Sequence, residues 1–139
     1  GKAMEKQKKC KELVGENLKA RLEDLEVLWK LEQAGNDEGD EELGTLNEYG
    51  LCFDYVPQGS FRGQRRGYFR YQLSWGGPGD EFRFYVNPNF SLDRIEYWYM
   101  AWFDGAKKIL RNQDEAFMTE LWEGWFRDLA PDIFQQAQD

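Results

Sequence analysis

The chain has 139 residues, a net charge of −8 and no histidine, which excludes Ser-His-Asp and Cys-His nucleophile activation and any histidine-ligated metal. Aromatic residues make up 17% of the chain, a share typical of a folded protein and not of a disordered one. No apolar run approaches the ~20 residues that span a bilayer, so we expect a single cytoplasmic domain over residues 1–139 with no membrane partner.

Residues 4–34 are predicted to form the first helix, and residues 1–3, before the first methionine, are interpreted as an expression remnant. The helix prediction rests on apolar residues at helical spacing: Leu18, Leu22, Leu25 and Trp29. Residues 35–48 follow as an acidic loop with six acids and no base. The acidic residues of this loop do not have the spacing of an EF-hand calcium site. The two cysteines, Cys10 and Cys52, are expected to be reduced thiols. We therefore predict no metal and no cofactor.

Three antiparallel strands are predicted after this loop. Residues 49–56 alternate apolar and polar side chains, and Pro57 ends the strand. Two more alternating runs flank Gly76-Gly77-Pro78-Gly79 and predict a β-hairpin, in which a four-residue loop places Tyr71 opposite Phe84. This register, which a one-residue slip would destroy, brings the apolar residues of both strands to one face: Phe69, Tyr71, Leu73, Trp75, Phe82, Phe84 and Val86.

The last third of the chain is predicted to be helical. Four apolar residues after a favourable N-cap at Ser91 recur at i, i+3, i+4 and i+7: Ile95, Trp98, Tyr99 and Trp102. A last helix begins near Gln113 and is closed by Pro131. The predicted fold is α+β, with a three-stranded antiparallel sheet and with the N-terminal helix and two to three C-terminal helices packed on one face.

The uncovered face of the predicted sheet is the first candidate site. It collects polar, charged and aromatic side chains: Tyr68, Arg70, Gln72, Arg83 and Tyr85. Three further arginines, Arg62, Arg65 and Arg66, lie in the adjoining loop, so this part of an acidic chain is basic. Arginine beside aromatic planes suits single-stranded nucleic acid, which needs charge for phosphate and rings for stacking. An ordinary solvated sheet face, with tyrosines favoured by strand propensity, is the other interpretation.

The predicted aromatic helix is the second candidate, because it is apolar nearly all round. Its free side carries Tyr97, Met100 and Phe103, which suit contact with a protein partner or with a second copy of the chain. The surface acids offer a third possibility, imitation of DNA phosphates, although acidic side chains also keep proteins soluble.

Carboxylate catalysis is the fourth possibility, with Asp54, Asp80 and Glu81 as its candidates. A hairpin turn already explains Asp80 and Glu81, since turns favour polar residues. We therefore predict no catalytic residues and a protein that is not an enzyme.

Three segments carry a resemblance to a known group of proteins: "NEYGLCFDYV", "GYFRYQLSWGGPGDEFRFYV" and "DRIEYWYMAWFDGA". They span residues 47–106 and resemble small uncharacterised proteins encoded on bacterial plasmids and other mobile elements. The resemblance implies no site residue, but it implies action on a host protein, for example the blocking of a defence nuclease. The leading hypothesis is a non-catalytic accessory protein that binds another protein. Single-stranded nucleic acid binding and nucleic-acid mimicry are the alternatives.

Overall fold

Five antiparallel strands form one sheet in which each strand lies beside its neighbours in the sequence. A computed structural model describes residues 9–138, so the interpretation of residues 1–3 lies outside the described residues. The strands are β1 (Cys52–Val56), β2 (Tyr68–Ser74), β3 (Gly79–Val86), β4 (Leu92–Ala101) and β5 (Asp104–Ile109). The sheet is therefore a meander with β1 and β5 at its edges.

Helices precede and follow the sheet in the sequence and cover one of its faces. They are α1 (Cys10–Gln33), α2 (Leu46–Tyr49), α3 (Asn112–Leu121) and α4 (Ala130–Gln138), with a π-helical turn (Trp122–Phe126) between the last two. α1 packs on β4 and β5, and α4 packs on β1. The predicted α+β architecture, with an N-terminal helix and C-terminal helices, is confirmed. Pro131 lies in the first turn of α4 instead of ending the preceding helix, because a first-turn position needs no backbone N–H donor.

The prediction of three strands is wrong, because residues 92–109 form β4 and β5 and not a helix. The helical spacing of the apolar residues coincides with an alternating pattern in the same segment. Ile95, Tyr97 and Tyr99 are buried toward the helices, whereas Trp98 points to the opposite face. Aromatic residues lie on both faces of β4, so apolar and polar side chains do not alternate clearly along it. The abundance of aromatic residues nevertheless favours a strand.

The pairing of β2 with β3 differs from the predicted register by two residues. Tyr71 lies opposite Phe82 and not Phe84, and a β-bulge interrupts the pairing at residues 72–74. A two-residue difference leaves the paired side chains on their predicted faces, because side chains alternate with a period of two. Trp75 is the exception, since it lies beyond the end of β2 and is exposed.

An aromatic cluster fills the space between the sheet and the C-terminal helices. The ring of Trp122 lies 4.9 Å from that of Phe84 and 5.5 Å from that of Phe69, measured between centroids. Its indole N–H donates to the backbone carbonyl of Phe90 at 2.9 Å. Phe126, at the end of the π-helical turn, packs against the same rings. Many of the rings in the predicted hairpin are therefore core residues beneath the helices.

The acidic segment 35–48 folds into turns that its own side chains close. Asp40 accepts a hydrogen bond from the backbone N–H of Glu42 at 3.0 Å. Glu48 accepts from the backbone N–H of Thr45 at 3.1 Å and also from its hydroxyl, an arrangement that caps α2. These two carboxylates are therefore engaged in local structure.

Two glycines are expected to respond in opposite ways to substitution by alanine. A Cβ added at Gly124 would lie 2.7 Å from the indole of Trp29. We therefore expect Gly124→Ala to lower the free energy of unfolding by about 1–3 kcal/mol. Gly15 in α1 has room for a Cβ, and Gly15→Ala is expected to raise this free energy by about 0.5–1 kcal/mol, because alanine favours helix. Urea denaturation checks both, and a change of the same sign at the two positions would contradict this packing.

Candidate binding groove

A groove of about 840 Å³ lies on the face of the sheet that the helices leave uncovered. Outward-facing side chains of β2, β3, β4 and β5 form its floor, and the loop between β1 and β2 forms one wall. Arg66 holds this loop against the sheet, because its guanidinium donates to the carbonyl of Val86 at 2.9 Å and pairs with Asp93 at 2.6 Å. The groove is therefore built by tertiary contacts between distant parts of the chain.

Seven cationic side chains and one carboxylate line this groove, which we call the basic groove. The cations are Arg62, Arg65, Arg66, Arg70, Arg83, Arg94 and Lys107, and the carboxylate is Glu81. In a chain with a net charge of −8, these residues are a local concentration of positive charge. A local concentration of positive charge favours the approach of an anion to this face.

Most of these cations are paired with carboxylates. The pairs are Arg66–Asp93, Arg70–Asp54, Arg83–Glu81, Arg94–Glu96 and Lys107–Glu96. Glu81 and Glu96 are buried, and removal of their partners would leave a carboxylate buried without compensation. The cations that hold these two acids therefore serve the stability of the sheet.

Arg62 and Arg65 differ from the other cations of the groove. Both are exposed on the β1–β2 loop, and neither has an ion pair or hydrogen bond with any other residue in the range 9–138. Gln64, between them, accepts from the backbone N–H of Phe61 at 3.1 Å and donates to the carbonyl of Arg66 at 2.9 Å. The loop is thus ordered by its own hydrogen bonds, and the two guanidinium groups are available to a ligand.

Guanidinium groups cover the aromatic rings of the basic groove. The Cζ of Arg83 lies 3.9 Å from the ring centroid of Trp98 and 4.7 Å from that of Tyr68. The Cζ of Arg94 lies 4.4 Å from the ring centroid of Tyr85. Contacts of this kind are attractive because the ring face carries negative charge density. A nucleobase would have to displace an arginine before it could stack on these ring faces.

Tyr68 places an unpartnered hydroxyl among the residues that line the basic groove. The residue is 1% exposed, and no other described residue forms a hydrogen bond with its hydroxyl. Burial raises the pKa of Tyr68 to about 12, so this hydroxyl keeps its proton near neutral pH. Because the hydroxyl is itself buried, it is a protonated donor beneath the groove surface and is not open to a ligand there.

The carboxylates considered for catalysis are not gathered into one site. Asp54 and Glu81 are on the groove side and bind arginines, whereas Asp80 lies on the helix side and binds Arg21 at 2.7 Å. Among residues 9–138, no group of three histidine, cysteine or acidic side chains is placed to hold a metal ion. The chemistry that the groove offers is recognition of negative charge.

Five of the eight residues predicted to bind a partner line the basic groove: Tyr68, Arg70, Arg83, Tyr85 and Met100. Gln72 is on the same face, nearer to the β2–β3 loop, and Phe103 is exposed in the β4–β5 turn. The prediction that Tyr97 lies on a free surface is corrected by its position. Tyr97 is 0% exposed, because β4 turns it toward the helices, and its hydroxyl donates to Asp80 at 2.6 Å.

Three groove residues on β4 and β5 were missed by the sequence analysis: Arg94, Trp98 and Lys107. The helix predicted for this segment would separate these three residues and would place Trp98 in its buried stripe. The signal that places them is the alternation of Arg94, Glu96, Trp98 and Met100, which share one face of a strand.

Comparison with known proteins identifies no relative, since no protein-family model, curated protein or solved structure matches the chain. The resemblance of residues 47–106 to proteins of mobile elements therefore stays a prediction. Within the described residues, no helix combines the length and the apolar character needed to cross a membrane.

Proposed function

We propose that this protein is a non-catalytic binding protein that holds an acidic segment of a partner protein in the basic groove. The observation that carries this proposal is the pair of available guanidinium groups, Arg62 and Arg65, beside a floor whose cations are mostly paired. A planar guanidinium binds a carboxylate through two parallel hydrogen bonds.

The length of the basic groove suits a short extended segment. Its lining on β4 runs from Arg94 to Met100, which at the rise of a strand is about 20 Å. An extended peptide of about six residues covers this distance. We therefore infer that the ligand is a segment of chain that enters the groove.

A protein ligand is favoured over single-stranded nucleic acid for two physical reasons. Stacking of bases needs open ring faces, and those of Tyr68, Tyr85 and Trp98 carry arginines. Affinity for nucleic acid depends strongly on the number of phosphates neutralised, and a net charge of −8 opposes a long phosphate footprint. A short peptide with a few carboxylates needs no open ring face and brings much less negative charge to the protein.

The resemblance to proteins of mobile elements supports a host protein as the partner. Occupation of an acidic segment by the groove would then inhibit that protein, and a defence nuclease is one example. A second copy of this chain is the other partner of the same class, since residues 35–48 supply an acidic segment of its own.

Selection from a random peptide library tests the proposed function. We expect peptides selected on the native protein to be enriched in Asp and Glu. We expect them to bind at least about tenfold more weakly to a protein with Arg62→Glu and Arg65→Glu, because charge reversal replaces two attractive contacts with two repulsive ones. A protein with Lys19→Glu and Lys30→Glu, both exposed on α1, has the same charge change and should bind normally.

Three outcomes would contradict the proposal, and a fourth would identify the partner as a second copy of the chain. Selected peptides without acidic enrichment, or equal losses in the two charge variants, would remove the basic groove as the site. A labelled single-stranded oligonucleotide that binds more tightly than the peptides at physiological salt would assign the groove to nucleic acid. A dimer in light scattering that the Arg62 and Arg65 substitutions dissociate would make the partner a second copy.

A further inference from the structure

Three large aromatic side chains are exposed at one end of the sheet. Trp75, in the β2–β3 loop, is 76% exposed, Trp102 is 87% exposed and Phe103 is fully exposed. The last two form the whole turn between β4 and β5, because Ala101 pairs with Asp104. We call these three residues the aromatic tip. Rings exposed to this extent contribute little to the core.

Trp102 has a backbone conformation that bulky residues disfavour. Its φ of 47° lies in the left-handed region, which a bulky residue adopts only at a cost in free energy. Two-residue hairpin turns with such a first residue normally have glycine there. This turn thus combines an unfavourable backbone conformation with exposed apolar side chains. That combination points to a role in binding.

The aromatic tip adjoins the basic groove. A pocket of about 470 Å³ lies between the two turns at this end of the sheet. It is lined by Trp75, Trp102, Met100, two glycines of the β2–β3 loop, the first glycine of β3, and the uncharged polar residues Gln72 and Ser74. Met100 also lines the basic groove, so the two sites are contiguous. The residues that line this pocket include no charged side chain, in contrast to the seven cations of the neighbouring groove.

We propose that the aromatic tip receives a large apolar side chain at the end of the acidic segment that the basic groove holds. This inference rests on the proposed function and adds to it the chemical pattern of the partner. Carboxylates complement the cations of the groove, and an apolar side chain complements the uncharged pocket beside Met100. Tryptophan is enriched among residues that dominate binding energy, which fits two exposed tryptophans at this position.

Two pairs of labelled hexaglutamate peptides test the pattern. One pair carries phenylalanine or serine at the N-terminal end, and the other pair carries phenylalanine or serine at the C-terminal end, so each serine peptide is the matched control. We expect one of the phenylalanine peptides to bind the native protein about tenfold more tightly than its serine control in fluorescence anisotropy. In a protein with Trp102→Gly and Phe103→Asn, we expect this preference to disappear while binding of the serine peptide is unchanged. The Gly-Asn pair suits the turn, so the melting temperature should be unchanged or higher.

The outcomes separate this inference from the proposed function. Equal binding of phenylalanine and serine peptides, or a preference that survives in the turn variant, would overturn the inference and leave the groove as a site for acidic segments. No binding of any peptide would overturn both. Vesicles of phosphatidylserine that bind the native protein, but not the turn variant, would assign the aromatic tip to a lipid surface.

Discussion

Replacement of Asp80 by asparagine is expected to lower the free energy of unfolding at neutral pH by about 3 kcal/mol, because it breaks a buried charge pair. The carboxylate of Asp80 accepts from Nε and Nη2 of Arg21 at 2.7 and 3.0 Å and from the hydroxyl of Tyr97 at 2.6 Å, and it also accepts from the hydroxyl of Ser74. An amide would turn an N–H₂ group toward these donors. The contacts join α1 to three strands, so their loss weakens the attachment of the helix to the sheet.

The destabilisation by Asp80→Asn is expected to depend on pH. Burial alone would raise the pKa of Asp80, but hydrogen bonds from Arg21, Ser74 and Tyr97 outweigh it and hold this pKa below its ordinary value. A carboxylate with a lowered folded-state pKa contributes stability above the unfolded-state value of about 4 and loses it as the pH falls through the folded-state pKa. The difference between the native and asparagine proteins should therefore shrink below about pH 4.

Asp54→Asn is the matched control for this prediction. Asp54 makes a two-bonded pair with Arg70, at 3.0 and 2.7 Å, but on the edge strand β1 its side chain is 42% exposed, against 3% for Asp80. Exposed pairs contribute roughly 0–1 kcal/mol, so we expect a small effect. Urea titrations of the three proteins at several pH values supply the measurement. Equal effects at positions 54 and 80, or a difference independent of pH, would show that the Asp80 pair does not hold the helix.

Replacement of Arg83 by glutamate is the second large effect, with an expected loss of about 3–5 kcal/mol in the free energy of unfolding. Arg83 binds the buried carboxylate of Glu81 at 2.7 Å and lies over the rings of Tyr68 and Trp98. Glutamate would leave Glu81 without its partner and add a second negative charge beside it. Because Glu81 is buried, charge reversal at position 83 is expected to lower the melting temperature in addition to removing a cation from the groove.

Two variants separate the structural role of Arg83 from ligand binding. Arg83→Lys keeps the charge but not the planar group, and we expect it to cost about 1 kcal/mol. The combined Arg62→Glu and Arg65→Glu protein should unfold at the same urea concentration as the native protein, because these arginines have no partner within the described residues. If Arg83→Glu were as stable as that protein, the pair with Glu81 would not be structural.

The two faces of the β2–β3 hairpin could be predicted from the sequence, whereas the identity of β4 could not. In β2 and β3 the polar side chains Arg70, Gln72 and Arg83 alternate with apolar ones, so the sequence distinguishes the polar face from the apolar face. In β4 the residues of the outer face include Trp98 and Met100, which are as apolar as those of the inner face. Local pattern then fits helix and strand equally well, and only pairing with β3 and β5 decides between them.

The sequence by itself determined that this is an α+β protein with a basic, aromatic face on its sheet, because side-chain periodicity and local charge are properties of neighbouring residues. Only the tertiary structure decided which cations are free. Pairing of β1 with β2 brings Asp54 to Arg70, and pairing of β4 with β5 brings Lys107 to Glu96. The extended strands also place Glu81 beside Arg83 and Glu96 beside Arg94, two residues apart on one face. Arg62 and Arg65, on the β1–β2 loop, have no carboxylate partner within residues 9–138. Charge compensation depends on distances in space, and for this groove those distances are set by strand pairing and by the docking of one loop.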